Sequence, residues 1–311
     1  MTITITSYFR YMHLFRQEYN CLLFFTALIN QTNSSNISSK TWFKLVKNVT
    51  DKQNKSTIPK LIENDRTAST VQGKPEMINH YFSRRSTLLD EQNQSLSIIP
   101  NATSILSEIV ISHQDVTDAI AAVDPSKANG PDLVSPRLIR EGAPFLAAPL
   151  STYFTQLIRQ SVFPSAWRLA NVTPIFKKGD PSNPANYRPM SLLSCLGKLM
   201  ERCVHKILYN YLISKDLLSP LQSGFVKDDS TINQLTFLYN DVCKALDDGK
   251  EVHAVFCDIS KAIDMVWHRD LLHKLSALGI SGSLFRWFSS YLSSRQQRVF
   301  ICWSLVILVI Y

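Results

Sequence analysis

A chain of 311 residues, 45% of them hydrophobic, has ample material for a buried core, which excludes wholesale disorder and suits one large domain or two ordinary ones. The formal net charge of +8 favours an anionic partner; nucleic acid is the commonest, and a membrane surface or plain solubility fits the same balance. The six cysteines (Cys21, Cys195, Cys203, Cys243, Cys257 and Cys302) form no C-x-x-C pair, which argues against zinc and a disulfide framework and for a reducing compartment.

Residues 1–105 read as a weakly patterned preamble: linker-like, partly helical or disordered. Residues 21–29 (CLLFFTALI) are signal-like in length, but Arg10, Arg16 and Glu18 precede them and no small-residue cleavage site is clear. The sequons at Asn33, Asn36, Asn48 and Asn101 are those expected by chance in so polar a segment, and secretion is not expected. Only residues 42–46 and 78–82 look like short amphipathic pieces.

From Leu106 the pattern tightens. Leu150, Phe154, Leu157 and Ile158 recur at helical spacing until Phe163-Pro164 ends the element. Residues 172–176 read as a strand, Lys177-Lys178-Gly179-Asp180 as a turn, and residues 187–193 as a second extended run; Pro174 and Pro189 confine both runs to hairpin or edge roles. Leu199, Cys203, Ile207 and Tyr211 mark a long helix. Ser230 can cap another, whose buried face is expected at Ile232, Leu235, Leu238, Val242 and Leu246. Gly249 stops it. Two further helices follow, one through Leu272, Leu275 and Leu278 closed by Gly279, the other over residues 284–292. The apolar tail at residues 300–311 is too short to span a bilayer. This mixture is α+β, without a regular βαβ alternation.

Two constellations carry chemistry. In residues 252–258, Val252, Ala254 and Phe256 alternate with His253, Val255 and Cys257, placing Asp258 at the end of a strand. A carboxylate there either caps the next turn or holds a metal ion for nucleotidyl transfer, which needs further carboxylates because two cations clamp the attacking and leaving oxygens. Lys177, Lys178 and Arg188 lie on the two arms of the hairpin. They either converge on one phosphate chain or line a solvated basic surface.

The blocks ANVTPIFKKGDPSNPANYRPMSLLSCLGKLMER, LLSPLQSGFVKDDSTINQL and AVFCDISKAIDMVWHRDLLHKL resemble the reverse transcriptases of non-LTR (LINE-type) retrotransposons, in that family's order and spacing. SKANGPDLVSPRLIRE is similar to its lead-in to the fingers, and residues 42–82 to its connector between endonuclease and polymerase. The resemblance implies an RNA-directed DNA polymerase with right-hand fingers and a partial palm over residues 106–299, after the preamble of 1–105 and before a divergent apolar tail at 300–311. Its partners would be an RNA template, a DNA primer and deoxynucleoside triphosphates, with no membrane, in the cytoplasm and nucleus; it leaves the oligomeric state open. Asp258 matches the first metal-binding aspartate of the palm, with the backbone carbonyl of Ile259 beside it, for two Mg²⁺ ions in the intact family. Lys177 or Lys178, with Arg188, matches the residues that hold the nucleotide's phosphates. Gln222, Ser223, Gly224 and Phe225 match a block near the fingers–palm junction.

Two departures stand out. Ile263 occupies the sugar-gate position, where the family carries an aromatic ring that excludes a 2′-hydroxyl, so sugar discrimination is expected to loosen. After Phe300 the chain reads FICWSLVILVIY, where the family continues into a Gln-Gly block, an aromatic-x-Asp-Asp turn and a thumb. Asp228-Asp229 fits the turn before Ser230, Asp247-Asp248 a helix end and Asp264 a packing role, so none replaces the missing pair. The expectation is a polymerase truncated within the palm and inactive alone. The alternatives are a non-catalytic nucleic-acid-binding remnant, or the product of a decayed element whose helices expose apolar surface where the palm sheet is incomplete.

Overall fold

The computed structural model describes residues 58–86, 104–258, 262, 265–301 and 309–310. In chain order its elements are β1 (Leu61–Glu63), β2 (Arg66–Ala68), α1 (Gly73–Ser86), α2 (His113–Ala121), α3 (Pro136–Glu141), α4 (Ala143–Arg159), β3 (Leu169–Phe176), β4 (Tyr187–Leu192), α5 (Cys195–Ser214), α6 (Thr231–Asp247), α7 (His268–Ala277), α8 (Gly282–Leu292), β5 (Gln296–Val299) and β6 (Val309–Ile310). Helices and strands are mixed as expected for α+β. The segment at residues 21–29 lies outside the described residues.

The larger core is helical, built from α2, α3, α4, α5, α7 and α8. Each helix enters it for a local reason. Ser112 caps α2 in a capping box, its Oγ accepting from Asp115 N while Asp115 accepts from Ser112 N, and Val116, Ala119 and Ile120 then fall on the buried side. α4 buries Phe154, Leu157 and Ile158, the spacing read from sequence. Ser194, itself buried, caps α5 by accepting from Gly197 N at 3.2 Å, and Leu199, Met200, Cys203 and Val204 face inward. Gly279, at φ 86°, ends α7 in the left-handed region that glycine occupies without strain. The middle of this core is aromatic: Phe163 meets Trp167, Trp287 and Tyr291 edge-on at centroid distances of 5.0–5.8 Å, and Trp287 stacks on Tyr291.

The smaller core lies under a four-stranded sheet of order β4-β3-β5-β6. β3 pairs antiparallel with β4, from Asn171↔Leu192 to Phe176↔Tyr187, and parallel with β5, from Leu169↔Gln296 to Val172↔Val299. One sheet face carries Ala170, Val172, Tyr187 and Val299, all buried with Ile78 and Phe82 of α1 and Leu61 of β1. Lys177 N donates to Asn186 O at 2.9 Å, which puts the bonded pairs at odd residues of β3. Pro174 and Pro189 therefore face each other in a non-bonded pair, where neither ring deprives the ladder of a donor. β3 is central rather than an edge strand, yet its partner β5 stops at Val299, before Pro174 is reached.

The segment before residue 106, expected to be linker-like and partly helical, holds more order than that. Residues 58–86 form the β1–β2 hairpin and α1, and α1 closes one face of the sheet. The hairpin was illegible because its strands are three residues long and largely polar. The lead-in at residues 126–141 is pinned beside the sheet: Ser194 Oγ donates to Asp132 Oδ2 at 2.6 Å, and Gly130 lies so close to the Leu193 carbonyl that a Cβ would sit 2.3 Å from its oxygen.

Two expectations fail between the helical layers. Residues 252–258 form no strand and are exposed throughout. α6 forms where Ser230 predicts, with Ser230 Oγ accepting from Asn233 N at 3.2 Å, but its expected buried face is not buried. The cause is shared: no described residue between Tyr211 and Asp270 reaches a core. Alternation prepares a strand for pairing, but without a partner ladder its backbone stays with water.

Candidate functional site

The sheet face opposite α1 carries Asn171, Thr173 and Ile175 from β3, Arg188 and Met190 from β4, and Arg298 from β5. No core cluster includes these residues, and Ile175, Arg188 and Met190 are exposed. Register decides which cations meet. Arg188 lies across from Ile175 and Lys177 across from Asn186, so Lys177 and Arg188 are diagonal neighbours on one face, within reach for long side chains. Lys178 is the next residue, in the turn and off this ladder position. Lys177, Lys178 and Arg188 are all exposed, and none pairs with a carboxylate among the described residues.

The turn that joins the two arms is firmly built. Asp180 accepts from Ser182 N at 2.9 Å and from Ser182 Oγ at 2.7 Å, and the hydroxyl bond is the main reason its carboxyl titrates below the usual range. Asn186 Nδ2 donates to Asp180 O at 2.9 Å, and the Tyr187 hydroxyl donates to Pro181 O at 2.7 Å. Gly179 sits at φ 91° against Asn186. The arms thus hold their spacing without any contact from the cations themselves.

Asp258 is exposed and lies on no strand; Ile259 and Ile263 fall outside the described residues. Among the described residues no group of three or more His, Cys, Asp or Glu side chains could hold a metal ion. The donor set described here therefore does not fit a two-ion centre around Asp258. Asp229 accepts from Ser230 N at 2.7 Å and Asp248 pairs with Lys250 at 2.9 Å, consistent with the turn and helix-end roles read from sequence.

Two features escaped sequence reading. Arg298 shares the face of Arg188, its Nε donating to Asn171 Oδ1 at 2.7 Å and its guanidinium lying 5.2 Å from the Phe300 ring centre. The signal, an arginine in a short alternating run after a helix, was too weak to single out. The second is Glu201 on α5, half-enclosed with Tyr291 and Arg295. Arg295 approaches Glu201 at 3.8 Å, lies 4.2 Å over the Tyr291 ring and donates from Nε to Tyr291 O, fixing the residue just before β5. Burial raises the Glu201 carboxyl above its ordinary range despite Arg295, and burial with the Glu201 charge pushes the Tyr291 hydroxyl up to about 12.

Residues 175–306, from the cationic end of β3 to beyond β5, match the reverse transcriptase (RNA-dependent DNA polymerase) family. Those residues are thus similar to part of a reverse transcriptase domain, of a family that generally depends on Mg²⁺. The similar curated proteins come from non-LTR retrotransposons. The chain is 34% identical over 190 residues to the RNA-directed DNA polymerase from mobile element jockey of Drosophila melanogaster, and 31% identical over 187 residues to a probable RNA-directed DNA polymerase from transposon BS of the same fly; each match covers 60% of this chain and 20% of the relative. It is 28% identical over 189 residues to the Pol polyprotein from type-1 retrotransposable element R2 of Popillia japonica, covering 61% of this chain and 25% of the relative. The chain thus spans a fifth to a quarter of the length of these curated relatives. No helix among the described residues is long and apolar enough to cross a membrane.

Proposed function

We propose that this chain supplies the fingers and the opening part of the palm of an RNA-directed DNA polymerase, over residues 106–299, with residues 58–86 bracing its sheet. Its partners in this reading are an RNA template, a DNA primer and deoxynucleoside triphosphates. Lys177 and Arg188 hold the incoming nucleotide's phosphates, Arg as a forked donor and Lys as a compact charge. Lys177 is the better placed of the two lysines. Asp258, with the Ile259 carbonyl, is the first part of the family's metal site, and Ile263 leaves the 2′ side of the sugar without the family's aromatic wall. The residues described contribute binding and orientation, so in this reading the 311-residue chain holds nucleotide and template without joining them.

The observation that carries the reading is the register of the β3–β4 hairpin, which makes Lys177 and Arg188 diagonal neighbours on an open face. Titration of the purified protein with a deoxynucleoside triphosphate tests it. Each charge-assisted contact contributes about 1.5–3 kcal/mol, so Lys177→Ala or Arg188→Ala should weaken binding by about tenfold or more, and Lys178→Ala by less. Equal binding by all three variants removes the site. In primer extension with Mg²⁺ the expected result is no product; extension abolished by Asp258→Ala would instead place a complete catalytic centre within these residues.

A further inference from the structure

We propose that the backbone amide of Ile62 is a positioning group for nucleotide binding: by holding the Ser182 carbonyl it fixes the turn that joins the arms bearing Lys177 and Arg188. This role presupposes the phosphate binding assigned above to that pair. In the β1–β2 hairpin Leu61, Ile62 and Glu63 pair with Ala68, Thr67 and Arg66. Ile62 N donates out of this ladder to Ser182 O at 2.9 Å, so Ile62 and Thr67 form its non-bonded pair. The Ile62 side chain is 47% exposed and belongs to neither core, whereas Leu61 beside it is fully buried in the smaller core that also takes in Tyr187. What Ile62 contributes is therefore its amide, and Leu61 anchors it.

The cations need such an anchor. Beyond Val172 the β3–β4 pair runs on as a two-stranded ribbon, because the ladder with β5 ends at Val299. Two-stranded ribbons twist more strongly than wider sheets and are marginal by themselves. Bonds inside the turn fix the turn's own shape and leave the twist of the arms open. The spacing of diagonal neighbours depends on that twist, so Lys177 and Arg188 converge on one phosphate chain only while it is held. Ile62 ties the far end of the ribbon to β1, which the smaller core fixes together with α1. At the near end α1 is bonded to β5, where Gln297 Nε2 donates to Asn79 Oδ1 at 3.0 Å. Both ends of the ribbon are thus held by one body, and its twist is set before a nucleotide arrives. Part of the nucleotide affinity then resides upstream of the residues that match the polymerase family.

Titration of the full chain with deoxyadenosine triphosphate tests this through Ile62→Pro, which removes a donor that the β1–β2 ladder does not use. The substitution should weaken binding by about threefold to tenfold, the range of one hydrogen bond's net contribution, while Ile62→Ala, which keeps the amide, should bind as the wild type does. In an Arg188→Ala background, where a single cation has no spacing to keep, the proline should have little further effect. An undiminished loss in that background marks a general structural role and overturns the proposal. Coupling is reciprocal, so in the unmodified protein saturating deoxyadenosine triphosphate should slow hydrogen exchange at the Ile62 amide by a similar factor. Unchanged exchange there overturns the proposal whether or not Ile62→Pro folds, and so does wild-type binding by a folded Ile62→Pro. If Lys177→Ala and Arg188→Ala bind as tightly as the wild type, the phosphate site fails and this role with it. If they weaken binding while Ile62 proves indifferent, the positioning role alone falls.

Discussion

Glu201 is the residue whose chemistry most departs from its sequence appearance. On a helix surface it reads as solvated, yet it packs under Tyr291 and Arg295, and its carboxyl is raised chiefly by burial. A raised carboxyl pKa means the folded state holds its proton to higher pH than the unfolded chain does. Stability from this group is therefore greatest below the unfolded value and falls as pH rises through the folded one. Glu201→Gln cannot ionise, so its melting temperature should gain on the wild type's as pH is raised from acid to neutral; parallel pH profiles would contradict this. Cys203 is the opposite case, because its apolar setting was legible. Burial pushes its thiol up to about 12, which makes it an inert core residue. Lys177 and Arg188 were legible as a pair because a hairpin between two short extended runs brings its arms together, but only the observed register separates Lys177 from Lys178.

Elements followed their punctuation. Ser230, Gly279 and Phe163-Pro164 ended or began helices where they stood, because capping and φ are local properties. Ser112→Ala should remove the reciprocal cap of α2 and cost about 1 kcal/mol in denaturant unfolding. Trp287→Ala, at the centre of the aromatic cluster, should cost about 3–5 kcal/mol in the same assay. Pairings between distant residues were the illegible part. The parallel ladder of β3 with β5 joins residues 127 apart, and nothing in either run of a few residues specifies the other. Residues 252–258 show the converse error, since alternation alone does not supply a neighbour.

At the scale of the molecule, order is uneven. Two cores hold the helices and the sheet, while the stretch from residue 205 to 269 has no buried side chain among those described. Regions with few buried contacts open most readily, so limited proteolysis should cut first between residues 215 and 266, leaving fragments that retain the helical core. First cleavage within α4 or α5 would contradict this. The exposed apolar residues of α6 should also bind a hydrophobic dye, more weakly in Leu235→Glu/Val242→Glu. Composition anticipated ample core material; it did not reveal that much of the apolar content between the two α-helical stretches would remain outside a core.

The proline pair in the hairpin has a consequence for how this molecule meets its neighbours. Among the described residues, no strand pairs with β3 beyond Val172 or with the outer edge of β4. On each, a proline stands where an incoming strand would look for an amide donor. Neither edge can recruit another strand along the tip, so the arms bearing Lys177 and Arg188 are kept from being roofed over by sheet growth. The same two rings that leave the ladder intact inside leave each outer edge short of a donor near its cationic end.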